Sequence, residues 1–163
     1  MEPRSHQPVL LLKRAGEEDP ATRLMPISLG HVEAFSIITA LQGAEAPRPQ
    51  THDLMANVMT TLQAEVERIE IHSYDEKDGT YYASLTFNQH GVTFVVDARP
   101  SDAVALAIRK GAPAFVDDAV FESTSVQTNV VTMQVGGRGV EPTGEALSAI
   151  HAFAENVQPC DFD

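Results

Sequence analysis

The chain has 163 residues, a mass of 17.6 kDa and one cysteine, so it is read as one domain with a tail and no intramolecular disulfide can form. Eleven basic against 23 acidic side chains give a net charge of −12, a bulk field that repels nucleic acid. The longest early aliphatic run, Val9–Leu12, is too short for a secretory or membrane-spanning segment, so a cytoplasmic protein without membrane contact is expected.

Gln7–Lys13 predicts a short strand, Ala15–Thr22 an acidic loop, and Leu24–Leu29 a second strand. Gly30–Gln42 predicts a helix with Gly30 as N-cap, Glu33 in its first turn, an apolar stripe through Phe35, Ile38 and Leu41 with Ala34 and Ile37, and Gly43 as its stop. Pro47 and Pro49 stiffen a connector around Arg48. Thr51–Leu62 predicts a second helix capped by Thr51, with Leu54, Met55, Val58, Met59 and Leu62 as its core face.

The apolar period then changes to two. Val66–Tyr74, Thr80–Phe87 and Val92–Asp97 predict a three-strand antiparallel meander, with Asp78-Gly79 and Asn88–Gly91 as turns. Ser101 is expected to cap a third helix ending at Lys110, where Arg109 and Lys110 suit the negative helix end. Pro113–Val116 and Ser123–Val135 are further strand candidates. Gly136–Gly139 reads as a flexible break, and Thr143 as the cap of an accessory helix with Leu147, Ile150, Phe153 and Val157 on one stripe. The fold class is α+β: a mixed, largely antiparallel sheet containing the meander, with flanking helices.

Two clusters can carry chemistry: Arg48-Pro49-Gln50-Thr51-His52-Asp53 and Asp97-Ala98-Arg99-Pro100-Ser101-Asp102. Each sets an arginine, a proline, a hydroxyl and a carboxylate at a helix start, where unpaired N–H groups favour an anion. Arg48 and Arg99, with Thr51 and Ser101, are candidate phosphate binders. Asp53, Asp97 and Asp102, with Glu33, are oxygen ligands suited to Mg²⁺ or Mn²⁺, and His52 is a candidate proton-transfer group. The same residues also read as ordinary caps and ion pairs, with Arg99 bridging to Asp53 or Asp97. Gly-x-Ser-x-Gly, P-loop and dinucleotide-binding motifs are absent, and the remaining histidines lack zinc-ligand spacing.

Taken together, the stretches Met25–Ala34, Arg48–Leu54, Tyr82-Ala83 and Val96–Ala107 resemble the bifunctional nuclease family in order and spacing. The resemblance covers residues 24–122. It implies a domain over 1–122, followed by an extension over 123–163, and a compact self-associating α+β domain acting on DNA and RNA. The leading expectation is therefore a metal-dependent nuclease of broad specificity, binding its nucleic acid weakly. Asp53, Asp97, Asp102 and His52 would be catalytic. The alternatives are a non-catalytic interaction or regulatory domain in which both clusters are architectural, and a sensor of small anions or nucleotides.

Overall fold

The computed structural model describes residues 7–16, 23–44 and 46–127. In chain order the elements are β1 (Val9–Lys13), β2 (Arg23–Ser28), α1 (His31–Leu41), α2 (Thr51–Thr61), β3 (Ala64–Asp75), β4 (Thr80–Gln89), β5 (Val92–Ala98), α3 (Pro100–Lys110), β6 (Ala114–Val116), α4 (Asp118–Thr124) and β7 (Val126–Gln127). The Gly136–Gly139 break and the accessory helix expected after Thr143 lie outside the described residues, as does the segment of the Ser123–Val135 candidate beyond Gln127.

The described residues belong to two compact units, each with its own sheet. One is drawn from Met1–Ser28 and Thr124–Asp163, and holds β1, β2 and β7 in the order β1-β2-β7, antiparallel throughout. Pro26 has no N–H to give to a ladder. It is accommodated in the central strand because, among the described residues, β7 pairs with β2 at Arg23 and Leu24 and not at Pro26.

The other unit, Leu29–Ser123, contains the sheet β5-β4-β3-β6 and the helices α1 to α3. The meander β3-β4-β5 forms as expected, and β6 adds to β3 in parallel, so the sheet is mixed and largely antiparallel. Its core is one sheet face carrying Ile69, Ile71, Ala83 and Leu85, together with the buried residues Ala103 to Ala107 of α3. Strand alternation puts Val96 beside Leu85 and Phe94 beside Phe87 on this face, and Asp97 beside Ser84 on the other.

Four local expectations are corrected, the last in part. The N-cap of α2 is Gln50, which forms a capping box with Asp53, and Thr51 is the first helical residue. The N-cap of α3 is Arg99, with Pro100 in the first turn, where a missing N–H costs nothing. Most of the stripe assigned to the core on α2 is exposed: Leu54, Met55, Val58 and Leu62 face out, while His52 points in. Of the α1 stripe, Ala34 and Ile37 are buried as expected, beside Ser36, while Phe35, Ile38 and Leu41 are exposed.

Candidate functional site

The site assembles where the starts of α1, α2 and α3 converge. Gly30 caps α1, and the Glu33 carboxylate folds back so closely over it that a Cβ at residue 30 would collide with Glu33 Oε2. A larger residue at position 30 would therefore have to push the Glu33 carboxylate aside. The folded-back carboxylate brings Glu33 Oε1 to 3.1 Å from Arg99 Nη1.

Arg99 also grips Asp102 with a two-pronged fork, donating from Nε to Oδ2 at 2.7 Å and from Nη2 to Oδ1 at 3.1 Å. The fork is geometrically matched to a carboxylate, and its partner lies one helical turn away. The bond to Asp102 is the main cause raising the Arg99 pKa, with Glu33 adding to it. Burial pushes the Asp102 carboxyl up, but hydrogen bonds from Arg99 and His52 outweigh it and hold the group below the usual carboxylate range.

His52 links the two clusters. Its Nε2 lies 3.0 Å from Asp102 Oδ1 and its Nδ1 lies 2.8 Å from Ser36 Oγ. Ionised Asp102 can only accept, so Nε2 donates to it; in the neutral ring Nδ1 then accepts from the Ser36 hydroxyl. The row Ser36–His52–Asp102 has the residue types of a hydrolase triad. It does not have the placement of one: Ser36 is buried within α1, where its hydroxyl cannot reach a substrate.

Asp53 has a different partner from those expected. It accepts from Arg109 Nε at 2.6 Å and from the Gln50 backbone N–H at 2.9 Å. The bond from Arg109 is the leading cause that lowers its pKa, followed by the one from Gln50. Arg109 additionally donates to the carbonyls of Ser36 and Ala105, and its side chain is only 10% exposed. It thus ties α1, α2 and α3 together.

The structure brings Glu33, His52, Arg99 and Asp102 into one contiguous network and adds Ser36 to it. It does not bring in the other candidates. Asp97 is exposed on the opposite sheet face, and Arg48 and Thr51 are exposed and share none of these bonds. Ser101 is buried in the first turn of α3. Arg99 bridges neither to Asp53 nor to Asp97. Ser36 and Arg109 were not singled out as site residues, because a serine inside a helix and an arginine at a helix end are common. The apolar neighbours of Ser36, Ala34 and Ile37, are the sign in the sequence that this side of the helix faces inward.

These residues do not form a ready divalent-cation site. Among the described residues no three His, Cys, Asp or Glu side chains group as metal ligands. Glu33 and Asp102 both face the Arg99 guanidinium, a cation already seated between them.

A match to the bifunctional nuclease domain runs over residues 10–129. The chain is 34% identical over 157 residues to an uncharacterized protein of Mycobacterium tuberculosis, present in two strains, covering 96% of this chain and 89% of that one. It is 24% identical over 146 residues to Bifunctional nuclease 2 of Oryza sativa subsp. japonica, covering 88% of this chain but only 40% of the rice protein. With a match that spans most of its length, the chain belongs to the bifunctional nuclease domain family.

Proposed function

We propose that the protein hydrolyses phosphodiester bonds in DNA and RNA at the Glu33–Arg99–Asp102 cluster. The observation that carries this reading is the state of Arg99. Its side chain is 65% exposed, yet its direction is fixed by two carboxylates. Of its five N–H donors, three are taken by Glu33 and Asp102, which leaves two for a phosphate oxygen. A held guanidinium stabilises charge that develops on phosphorus-bound oxygens without reorganising at the moment of reaction. Glu33 has one oxygen on Arg99 and is the carboxylate placed to take a proton from an attacking water. The water oxygen bonds to phosphorus, its proton passes to Glu33, and the ester oxygen leaves and takes a proton from solvent. His52, with both ring nitrogens engaged, reaches the substrate only through Asp102 and is a positioning residue. Arg48 adds an exposed positive charge to an otherwise acidic chain, consistent with weak binding.

A non-catalytic interaction domain is the second reading. It is favoured by the completeness of the Arg99–Asp102 and Arg109–Asp53 pairs and by the charge of −12. Labelled single-stranded DNA and RNA, incubated with the highly purified chain in EDTA or with Mn²⁺ or Mg²⁺, separate the two. Cleavage that falls about 100-fold or more in Arg99→Ala and Glu33→Gln, with folding retained, is the expected result for the nuclease. Absent cleavage, or equal cleavage by the variants, supports the second reading. The EDTA arm decides whether a cation is needed.

A further inference from the structure

We propose that Ser36 is a positioning residue for the Arg99 site: from inside α1 its hydroxyl pins the His52 ring, and the pinned ring holds Asp102 in the orientation that aims the Arg99 guanidinium. Its effect on cleavage rests on the nuclease reading; its effect on Arg99 is read without cleavage.

A hydroxyl within a helix ordinarily bonds back to a carbonyl of the preceding turn. Thr39 donates in this way to the Phe35 carbonyl, Thr60 to Ala56 and Thr61 to Asn57. The Ser36 hydroxyl instead lies 2.8 Å from Nδ1 of His52, a side chain of another helix. Ser36 is buried, between the equally buried Ala34 and Ile37. An alanine would fill that place without burying a polar group, whereas a buried hydroxyl is costly unless it is bonded. The bond to His52 is what compensates it.

That bond decides how firmly the ring is held. A histidine ring turns about a terminal torsion with a broad energy profile. Here it is fixed at two points, Nδ1 by Ser36 and Nε2 by Asp102 Oδ1 at 3.0 Å. Held at Nε2 alone, it could swivel. Asp102 Oδ1 is shared, because it also closes one prong of the Arg99 fork, accepting from Nη2 at 3.1 Å. A swivelling ring therefore displaces the oxygen on which that prong depends. Arg99 is 65% exposed and its bonds compete with water, so its direction depends on how well Asp102 is braced from behind. Ser36 is itself presented from a fixed backbone: Arg109 Nη1 donates to its carbonyl at 3.2 Å and to that of Ala105 at 2.9 Å. The line Ser36–His52–Asp102–Arg99 thus carries a constraint from the interior of α1, through α2, to an exposed guanidinium on α3.

Nitrogen-15 spectra of the full chain test this in Ser36→Ala. The His52 Nδ1 resonance should move toward that of an unbonded ring nitrogen. The Arg99 Nε–H should exchange with water about threefold faster or more, the equivalent of one weakened hydrogen bond. The Arg109 Nε–H, bonded to Asp53, should keep its rate. Thr39→Ala removes an α1 hydroxyl that bonds only to α1 carbonyls, and it should change none of these signals. With labelled RNA as substrate, Ser36→Ala should lower kcat about tenfold with KM nearly unchanged. Ser36→Thr, which restores a hydroxyl, should recover most of the loss. In a His52→Ala background Ser36→Ala should add nothing, because its effect passes through that ring. Unchanged Arg99 exchange, an equal change in Thr39→Ala, cleavage unaffected by Ser36→Ala, or a further loss in the His52→Ala background would each overturn the proposal. A wild type that cleaves nothing sinks the nuclease reading instead, and the exchange rates then decide whether Ser36 positions Arg99.

Discussion

Arg99 and Arg109 each hold a carboxylate, but one does so in solvent and the other in packing. Arg109 is 10% exposed and satisfies Asp53 and two carbonyls at once. Arg109→Met strips Asp53 of its charged partner and leaves it only the Gln50 N–H, and it removes one donor from each of the two carbonyls, so a loss of about 2–4 kcal/mol in urea unfolding is expected. Arg99→Ala should stay within about 1 kcal/mol of wild type, because exposed pairs contribute little. The reverse order would mean that Arg99 is architectural. The same network fixes the acid response. Asp53 is held below the usual carboxylate range chiefly by Arg109. Asp102 is pushed up by burial but held down on balance by Arg99 and His52. Lowered native values stabilise the fold above the unfolded pKa of about 3.9. That stabilisation is lost as pH falls through the lower native values. In Asp53→Asn and Asp102→Asn, unfolding free energy should therefore decline less steeply below about pH 4, while near neutrality the two groups add no slope. A wild-type slope in both variants would contradict these assignments. At this scale the sequence pointed to Glu33, His52, Arg99 and Asp102 because helix starts advertise their chemistry. It concealed Ser36 and Arg109, whose meaning depends on neighbours 16 and 56 positions away in the chain.

Periodicity assigned the elements because it reports which residues share a face. The two-residue alternation of β3, β4 and β5 is reproduced in the register that puts Ile71 beside Ala83 and Leu85 beside Val96. Periodicity does not say whether a face is covered. On α2 the inward direction is set by His52, which must reach Ser36 and Asp102, and the apolar stripe is turned outward as a result. Val58→Lys should therefore change the melting free energy by no more than about 0.5 kcal/mol. Ile69→Ala, in the fully buried sheet face, should cost about 2–5 kcal/mol. Thermal unfolding of both variants checks the contrast; a large loss in Val58→Lys would mean that the α2 stripe is covered in the working protein. The shifted caps have a similar origin. Gln50 and Arg99 turned out to precede the helices because Asp53 reaches back to the Gln50 N–H, and Pro100 suits a first helical position.

For the molecule as a whole, length, composition and pattern determined an α+β chain with a meander, and motif order determined its family. These follow from local physics: side-chain period, turn chemistry and helix-start preferences act over a few residues. The tertiary structure decided what those residues do together. It joined His52 to Asp102 across 50 positions, directed Asp53 to Arg109, left Asp97 on the far face of the sheet, and seated Arg99 between Glu33 and Asp102. Among the described residues it also left β5 at the sheet edge, paired with β4 alone. A sequence lists the donors and acceptors; which of them meet depends on how helices and strands from distant parts of the chain pack against one another.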